Sequence, residues 1–308
     1  MSALQTTDGV VQVLGGIALS PALVGLVQLV KARLQGRRGP GPLQPYRELR
    51  RLWGKSTVTP DGTTAVYRLA PSVVAASLAA AVLVVPVGHA ARSLGVGHDA
   101  LLLVGLLALG RFAIAVSAWD TGNGFALMGA SRDLTLAVFV EIALVLALAL
   151  AALEAGTTDL TAMVAATAGS AAWSTPALAL AAIGFALVVV AETGRQPVDN
   201  PDTHLELTMI HEGPLLEYAG RDLAYLQWAA AVRHWLVLVL AAEIFLPHPA
   251  GGWWQLGLLP VELAVLCVGL AVCETLLVKM RVLLVPRLLG IGAVSALFGI
   301  AAWLAEGR

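Results

Sequence analysis

Eight long apolar runs dominate the sequence, and each is long enough to cross a lipid bilayer as a helix. A span needs about 20 mostly apolar residues, because each adds about 1.5 Å along the axis and the hydrocarbon core is about 30 Å thick. The runs cover residues 10–30, 67–87, 100–119, 134–153, 174–191, 226–246, 256–278 and 282–304. Membrane-barrel strands would instead alternate in polarity over about ten residues. The runs predict an all-α integral membrane protein of about eight transmembrane helices, forming a single transmembrane domain over residues 1–308.

The composition agrees with a protein whose main solvent is lipid. Hydrophobic residues make up 58% of the chain and charged residues only 13%, whereas about 25% of the residues in a soluble domain are charged. A soluble fold could not bury this much apolar surface, because surface-to-volume scaling limits burial. The net charge of −1 provides no basic footprint for nucleic acid. The polar start before residue 10 lacks the basic segment of a signal peptide, so we expect the first run to be a retained span.

Lysine and arginine residues are concentrated in alternate connections between the runs. The connections after runs one, three, five and seven hold 15 of the 19 basic residues, and the opposite side holds two. The positive-inside rule places the basic connections in the cytoplasm. We therefore expect both termini outside and long cytoplasmic loops after helices 1 and 5. The first of these loops, residues 31–68, is rich in Pro, Gly and Arg.

Several ionisable residues lie within the apolar runs. A charge at the bilayer centre costs at least about 2.5–3.5 kcal/mol on insertion scales, so such residues usually face protein or water and carry function. Glu141 in the fourth run is either a proton carrier or a neutral carboxyl hydrogen-bonded between helices. Arg111 in the third run is either a counter-ion for a functional acid or half of a structural ion pair. Glu274 in the seventh run is a further acid of a path, or pairs along its own helix with Lys279 or Arg281.

The connection after the fifth run, residues 192–225, is the most charged stretch outside the membrane. It carries Glu192, Asp199, Asp202, Glu206, Glu212, Glu217 and Asp222, against Arg195 and Arg221. His204 and His211 are seven residues apart, so they could share a helix face and act as a proton relay. Gly213 and Pro214 follow His211 and Glu212, so the HExxH zinc pattern is absent and we expect no metal site.

Segment 191–201 (AETGRQPVDNP) resembles the signature loop of the proton-path membrane protein of complex I, which reads approximately AETNRAPFDLPE. Its continuation, THLELTMIHEG and LEYAG, is more similar to the membrane subunits of energy-converting [NiFe] hydrogenases of the hydrogenase-4 and formate hydrogenlyase type. Three further stretches resemble the same family: GPLQP at 41–45, the block 118–132 followed by Glu141, and Cys273 to Arg281. The likeness extends over about residues 10 to 300.

The resemblance implies roles for individual residues. Glu141 and Glu192 stand where the family has a buried acidic path from the redox module into the membrane, and Asp199, Glu206 and Glu217 match acids at the junction with the soluble arm. We assign to the proton path Glu141, Glu192, Asp199, Glu206, Glu212, Glu217 and Glu274, with the charge partners Arg111, Arg132, Arg195, Lys279 and Arg281, and His204 and His211 as relay candidates.

The implied function is that of a non-redox membrane subunit of a complex I-like hydrogenase or related oxidoreductase in a prokaryotic cytoplasmic membrane. It would couple electron transfer to translocation of protons or Na⁺. The expected partners are an iron–sulfur small subunit and a [NiFe]-hydrogenase-like large subunit on the cytoplasmic side, and antiporter-like membrane subunits. Iron–sulfur clusters and any nickel–iron site would lie in those partners. Cys267 and Cys273 lack metal-ligand spacing, so we expect no cofactor in this chain.

Three alternative functions are weighed against this one. In a quinone-site subunit of NADH:quinone oxidoreductase the same loop would form the headgroup chamber. Gly194, Gln196 and three extra residues between Glu206 and Glu217 depart from the complex I pattern and argue against a quinone. A stand-alone ion transporter would fit the buried acids, but the sequence has no detectable inverted repeat. A passive scaffold would tolerate Glu→Gln changes within the spans.

Overall fold

The computed structural model describes residues 13–87, 97–169, 171–200, 209–247 and 254–306, and this part of the chain is helical without a strand. Ten helices are α1 (Gly15–Leu34, which opens with the π-helical turn Gly15–Leu19), α2 (Gln44–Trp53), α3 (Ala65–Val84), α4 (Asp99–Asp120), α5 (Gly124–Ala155), α6 (Leu160–Thr167), α7 (Pro176–Glu192), α8 (Gly220–Phe245), α9 (Trp254–Leu276) and α10 (Val285–Ala305). Short 3₁₀ turns lie at Ala172–Ser174, Gly213–Leu215 and Val282–Leu284.

The all-α membrane architecture is confirmed. Within the described segments, seven helices are long and apolar enough to span a bilayer, namely α1, α3, α4, α5, α8, α9 and α10. The fifth predicted span is α7, whose 17 residues extend about 26 Å at 1.5 Å per residue. It is therefore the short member of the bundle. The sidedness and the single-domain boundaries stay predictions.

Helix α8 lies at the centre of the described bundle. It contacts α1, α2, α3, α7 and α9. Along Trp235–Phe245 every residue is buried, including the consecutive Leu236, Val237 and Leu238. A helix that is apolar on all sides belongs in an interior rather than at a boundary. Glu243 within this stretch is buried as well, and Arg233 lies just before it, so this arginine needs a partner inside the protein.

Helices α7 and α10 pack through small residues. A Cβ atom added at Gly184 would lie 2.6 Å from the carbonyl oxygen of Gly292, and one at Gly299 would lie 2.7 Å from that of Ala177. The Ser295 hydroxyl donates to the carbonyl of Leu180 at 2.8 Å. Small residues and an interhelical hydrogen bond allow this close approach, since lipid provides no hydrophobic force between helices.

The loop after α7 is fixed to the bundle by close backbone contacts and by an aromatic stack. Gly129 of α5 lies against Gly213, where an added Cβ would come within 2.7 Å of the Gly213 Cα. The rings of Tyr67 and Tyr218 stack with centroids 4.4 Å apart. The Tyr218 hydroxyl donates to the Tyr67 carbonyl at 3.0 Å, and burial raises the pKa of Tyr218 to about 12. The phenol therefore keeps its proton and its role as a donor.

The first long loop contains a helix that the apolar runs do not predict. Helix α2 (Gln44–Trp53) has a proline in its first turn and three exposed arginines. Its buried Leu52 anchors it, and the Trp53 ring lies 4.9 Å from that of Tyr225. The amphipathic pattern of α2 is only three turns long, which is why the surrounding Pro, Gly and Arg residues conceal it.

Candidate functional site

A buried arginine on α4 contacts three carboxylates from two other helices. Arg111 is 5% exposed. Its Nη2 donates to Glu192 Oε1 at 2.7 Å, its Nη1 lies 3.7 Å from Glu141 Oε1, and its Nε lies 3.9 Å from Asp133 Oδ2. Buried charges require partners because removal from water is costly. This geometry brings Arg111 together with Glu141 and Glu192, and its role as counter-ion of functional acids stays a prediction.

Glu192 is the last residue of α7 and has two cationic neighbours. Its side chain is 1% exposed, and its second oxygen lies 3.6 Å from Nη1 of Arg233 on α8. The C-terminal end of a helix carries partial negative charge, which disfavours a carboxylate there. Two guanidinium groups, from Arg111 and Arg233, offset this repulsion. We call the five side chains Asp133, Glu141, Glu192, Arg111 and Arg233 the central cluster.

A second group of charged side chains connects the loop after α7 to the central cluster. Asp199 Oδ2 accepts a hydrogen bond from the backbone N–H of His211 at 3.2 Å and lies 3.1 Å from its Nδ1. Its Oδ1 accepts from Lys279 Nζ at 2.7 Å. The other ring nitrogen of His211, Nε2, lies 3.8 Å from Asp133 Oδ1. His211 therefore bridges Asp199 of the loop and Asp133 of α5.

The pKa values of the two loop groups respond to this pairing. Burial acts to raise the pKa of Asp199, but hydrogen bonds and charge from His211 and Lys279 outweigh it and hold that pKa below its ordinary range. Burial acts to lower the pKa of His211, and the hydrogen bond to Asp199 together with the charges of Asp133 and Asp199 raises it instead. The imidazolium form of His211 is thus favoured next to Asp133.

Glu274 forms a separate buried cluster with two cations. Its Oε1 accepts from Lys31 Nζ of α1 at 2.6 Å and its Oε2 accepts from Arg195 Nη1 at 2.9 Å. The interpretation that Glu274 pairs along its own helix with Lys279 or Arg281 is wrong. Helix α9 ends at Leu276, so the chain beyond it turns away and Lys279 pairs with Asp199.

The remaining predicted site residues lie at the edge of these clusters. Glu217 accepts a hydrogen bond from the side-chain amide of Asn123. Arg132 donates to the carbonyl of Met209 at 3.4 Å, so it contacts the loop backbone. Glu212 and Arg281 are exposed. His204 and Glu206 lie outside the described residues.

Both clusters border one cavity of about 890 Å³. The cavity lies between α1, α2, α3, α8 and the loop after α7. Its lining includes Arg111, Asp133, Glu192, Asp199, His211, Lys31 and Arg195. A cavity that reaches buried ionisable groups provides a route by which water and protons can reach them. Within the described part of the chain, no group of three or more His, Cys, Asp and Glu side chains could hold a metal ion.

Asp133 and Arg233 belong to the site but are absent from the residues assigned to it from the sequence. Arg233 lies seven residues inside the apolar run 226–246, so the rule that singles out Arg111 applies to it equally. Asp133 immediately precedes the run 134–153, where a charged residue is typical of a polar boundary. Helix α5 begins ten residues earlier than that run, at Gly124, where the Asn123 side chain caps it. Asp133 is therefore an interior residue of the helix.

Comparisons with known proteins identify related membrane subunits. The family model described as NADH dehydrogenase matches residues 9–302. The chain is similar to hydrogenase-4 component C of Escherichia coli (strain K12), with 34% identity over 94% of this chain and 92% of the relative. It is also similar to formate hydrogenlyase subunit 4 of the same organism, with 35% identity over 96% of this chain and 97% of the relative.

A solved structure shares the same fold. A chain of the membrane-bound sulfane sulfur reductase, an archaeal respiratory membrane complex, superimposes with a TM-score of 0.80 at 21% identity, covering 96% of this chain and 99% of that one. At this identity the likeness concerns the fold.

Proposed function

The chain belongs to the NADH dehydrogenase family, and from this premise we propose that it is the ion-coupling membrane subunit of a complex I-like hydrogenase or related oxidoreductase complex. The observation that carries the proposal is the central cluster. Three carboxylates share two guanidinium groups inside the bundle, and His211 links them to the charged loop. Intramembrane ionisable groups that connect to each other and to a cavity are the parts of a proton relay.

The hydrogenase branch is favoured over a quinone-reducing one by the relatives. The relatives from Escherichia coli are named as components of hydrogenase-4 and of formate hydrogenlyase, and each aligns over more than nine-tenths of both chains. The expected partners are an iron–sulfur small subunit and a [NiFe]-hydrogenase-like large subunit docked on the loop after α7, with antiporter-like subunits alongside. Redox chemistry would take place in the docked subunits, and this chain would carry the ion.

Coupling would proceed from the loop into the membrane. Reduction of a centre in the docked arm changes the electrostatic potential at the loop after α7, where Asp199 and His211 are paired. One pKa unit corresponds to about 1.36 kcal/mol, so a modest change of potential is sufficient to move a proton between neighbouring groups. The proton would pass into the central cluster and leave by way of Glu141, whose side chain is 36% exposed and therefore the most accessible acid of that cluster.

The test uses the intact purified complex reconstituted in liposomes. We expect Glu192→Gln and Glu141→Gln to abolish ion translocation while the soluble arm still transfers electrons. Glu306→Gln, at the exposed end of α10, is the matched control and retains both activities. Unchanged translocation in both Glu192→Gln and Glu141→Gln would remove the proposal, as would ion transport by the chain purified alone, which is the behaviour of a stand-alone transporter.

A further inference from the structure

The charges of the central cluster do not balance. Asp133, Glu141 and Glu192 contribute three carboxylates against the two guanidinium groups of Arg111 and Arg233. An uncompensated buried charge is strongly unfavourable, and the cheapest remedy is to bind a proton. Outside these five side chains, Asp199 pairs with Lys279, and Glu274 pairs with Lys31 and Arg195. The excess negative charge of these five side chains is matched by one proton on His211, whose Nε2 lies 3.8 Å from Asp133.

Asp133 lies between two cationic groups without a hydrogen bond to either. Glu192 accepts a hydrogen bond from Arg111 at 2.7 Å. Asp133 lies 3.9 Å from Arg111 Nε on one side and 3.8 Å from His211 Nε2 on the other, and both distances exceed the range of a hydrogen bond. Arg111 Nε is buried and has no hydrogen-bond partner among the described residues. A rotation that moves the carboxylate by about 1 Å would complete a bond to either neighbour.

We infer that Asp133 and His211 form a site for one exchangeable proton, and that occupancy of this site decides whether Asp133 pairs with Arg111. The inference rests on the proposed function and names the point at which the proton enters the membrane. The proton moves from Nε2 of the imidazolium to Oδ1 of Asp133, while Nδ1–H of His211 stays with Asp199 Oδ2. The imidazole becomes neutral and the carboxylate becomes a carboxylic acid, so charge and atoms are conserved.

Protonation of Asp133 changes the electrostatic contacts of Arg111. A neutral Asp133 no longer attracts Arg111 Nε, so the guanidinium is left with Glu192 and Glu141 alone and the cluster becomes electrically balanced. Loss of the proton towards Glu141 restores the ionised Asp133. The charged groups that face His211 among the described residues are Asp199 from the loop, Asp133 from α5, Glu192 from α7 and Arg111 from α4. Three are acids and one is a guanidinium cation, which favours a cationic ring.

The experiment compares Asp133→Asn and His211→Gln in the intact complex, measured as ions translocated per electron in liposomes. We expect both ratios to fall towards zero, since an asparagine cannot accept the proton and a glutamine cannot deliver it. Asp61→Asn in an exposed loop and His98→Gln at the start of α4 are the matched controls, and each should retain the wild-type ratio.

Infrared difference spectra between the oxidised and the reduced complex provide a second measurement, which would not change if Asp133 had only a structural role. The wild type should show the carbonyl stretch of a protonated carboxylic acid, which Asp133→Asn removes and Asp61→Asn keeps. The inference is overturned if the band persists in Asp133→Asn, or if translocation requires Na⁺ and shows no carboxylic acid band. If Asp133→Asn translocates normally while Glu192→Gln does not, the proposed function stands and the proton site at Asp133 is rejected.

Discussion

At the scale of single residues, Arg111 is the cationic neighbour that three acids have in common. It contacts Glu192, Glu141 and Asp133 and is itself buried. We expect Arg111→Gln to destabilise the subunit by about 3–5 kcal/mol, which is the usual cost of leaving one partner of a buried ion pair behind. Thermal denaturation of the purified complex in detergent measures this loss of stability.

The matched control for Arg111→Gln is an arginine in an exposed pair. Arg51 contacts Glu48 at 2.6 Å with both side chains largely exposed, so Arg51→Gln should cost no more than about 1 kcal/mol. Equal losses in the two variants would contradict the assignment of Arg111 as the centre of the cluster.

The pairing of Asp199 with His211 makes the packing of the loop after α7 against the helix bundle dependent on pH. The raised pKa of His211 stabilises the folded loop at pH values below the ordinary histidine pKa of about 6.5. This contribution disappears as pH rises through the raised pKa. The lowered pKa of Asp199 stabilises the loop above about 3.9, and this is lost only as pH falls through the lowered value. The packed loop is therefore most stable between about pH 4 and 6.5.

Hydrogen exchange measures this pH dependence. Backbone amides in residues 209–219, corrected for intrinsic exchange rates, should be better protected at pH 6 than at pH 8. His211→Gln should remove the difference between the two pH values. The same difference in wild type and His211→Gln would assign the pH dependence to another group.

At the scale of the elements, the interface between α7 and α10 depends on the absence of side chains. A Cβ at Gly184 would lie 2.6 Å from the carbonyl oxygen of Gly292, whereas a Cβ at Gly105 of α4 meets open space. Gly184→Ala should therefore cost about 1–3 kcal/mol through overpacking. Gly105→Ala should be neutral or stabilising by up to about 1 kcal/mol. Thermal unfolding of the two variants in one detergent separates the effects, and equal behaviour would refute the tight interface.

The helices also show how far the fold and the site can be predicted from the sequence. The spans follow from apolar run length, although α5 begins ten residues and α8 six residues before the corresponding runs. Arg111, Glu141 and Glu192 are proposed from their conflict with lipid or from family resemblance. The partners of Glu274 could not be predicted, because Lys31 and Arg195 reach it from α1 and the loop after α7. Such pairs depend on the tertiary arrangement of helices, which run length does not specify.

At the scale of the whole molecule, the orientation in the membrane is a prediction that labelling can check. In a background lacking Cys267 and Cys273, we expect an impermeant maleimide applied to right-side-out vesicles to label Ser174→Cys. Thr59→Cys, in the first long loop, should react only after the vesicles are opened. Both positions are exposed. The reverse pattern would place the loop after α7 outside and contradict the proposed docking of a cytoplasmic arm on it.

The shortness of α7 has an electrical consequence for the molecule. With a length of about 26 Å against a core of about 30 Å, the helix ends at Glu192, and the cavity beside Glu192 extends towards the loop side. Water in that cavity would have nearly the electrical potential of the solution on the loop side. The transmembrane voltage would therefore drop across a thinner apolar layer of protein and lipid. A proton stepping from Asp133 to Glu141 would then cross a steeper field than in a uniform slab, and the membrane potential would act directly on that step, at about 2.3 kcal/mol per charge for each full 100 mV.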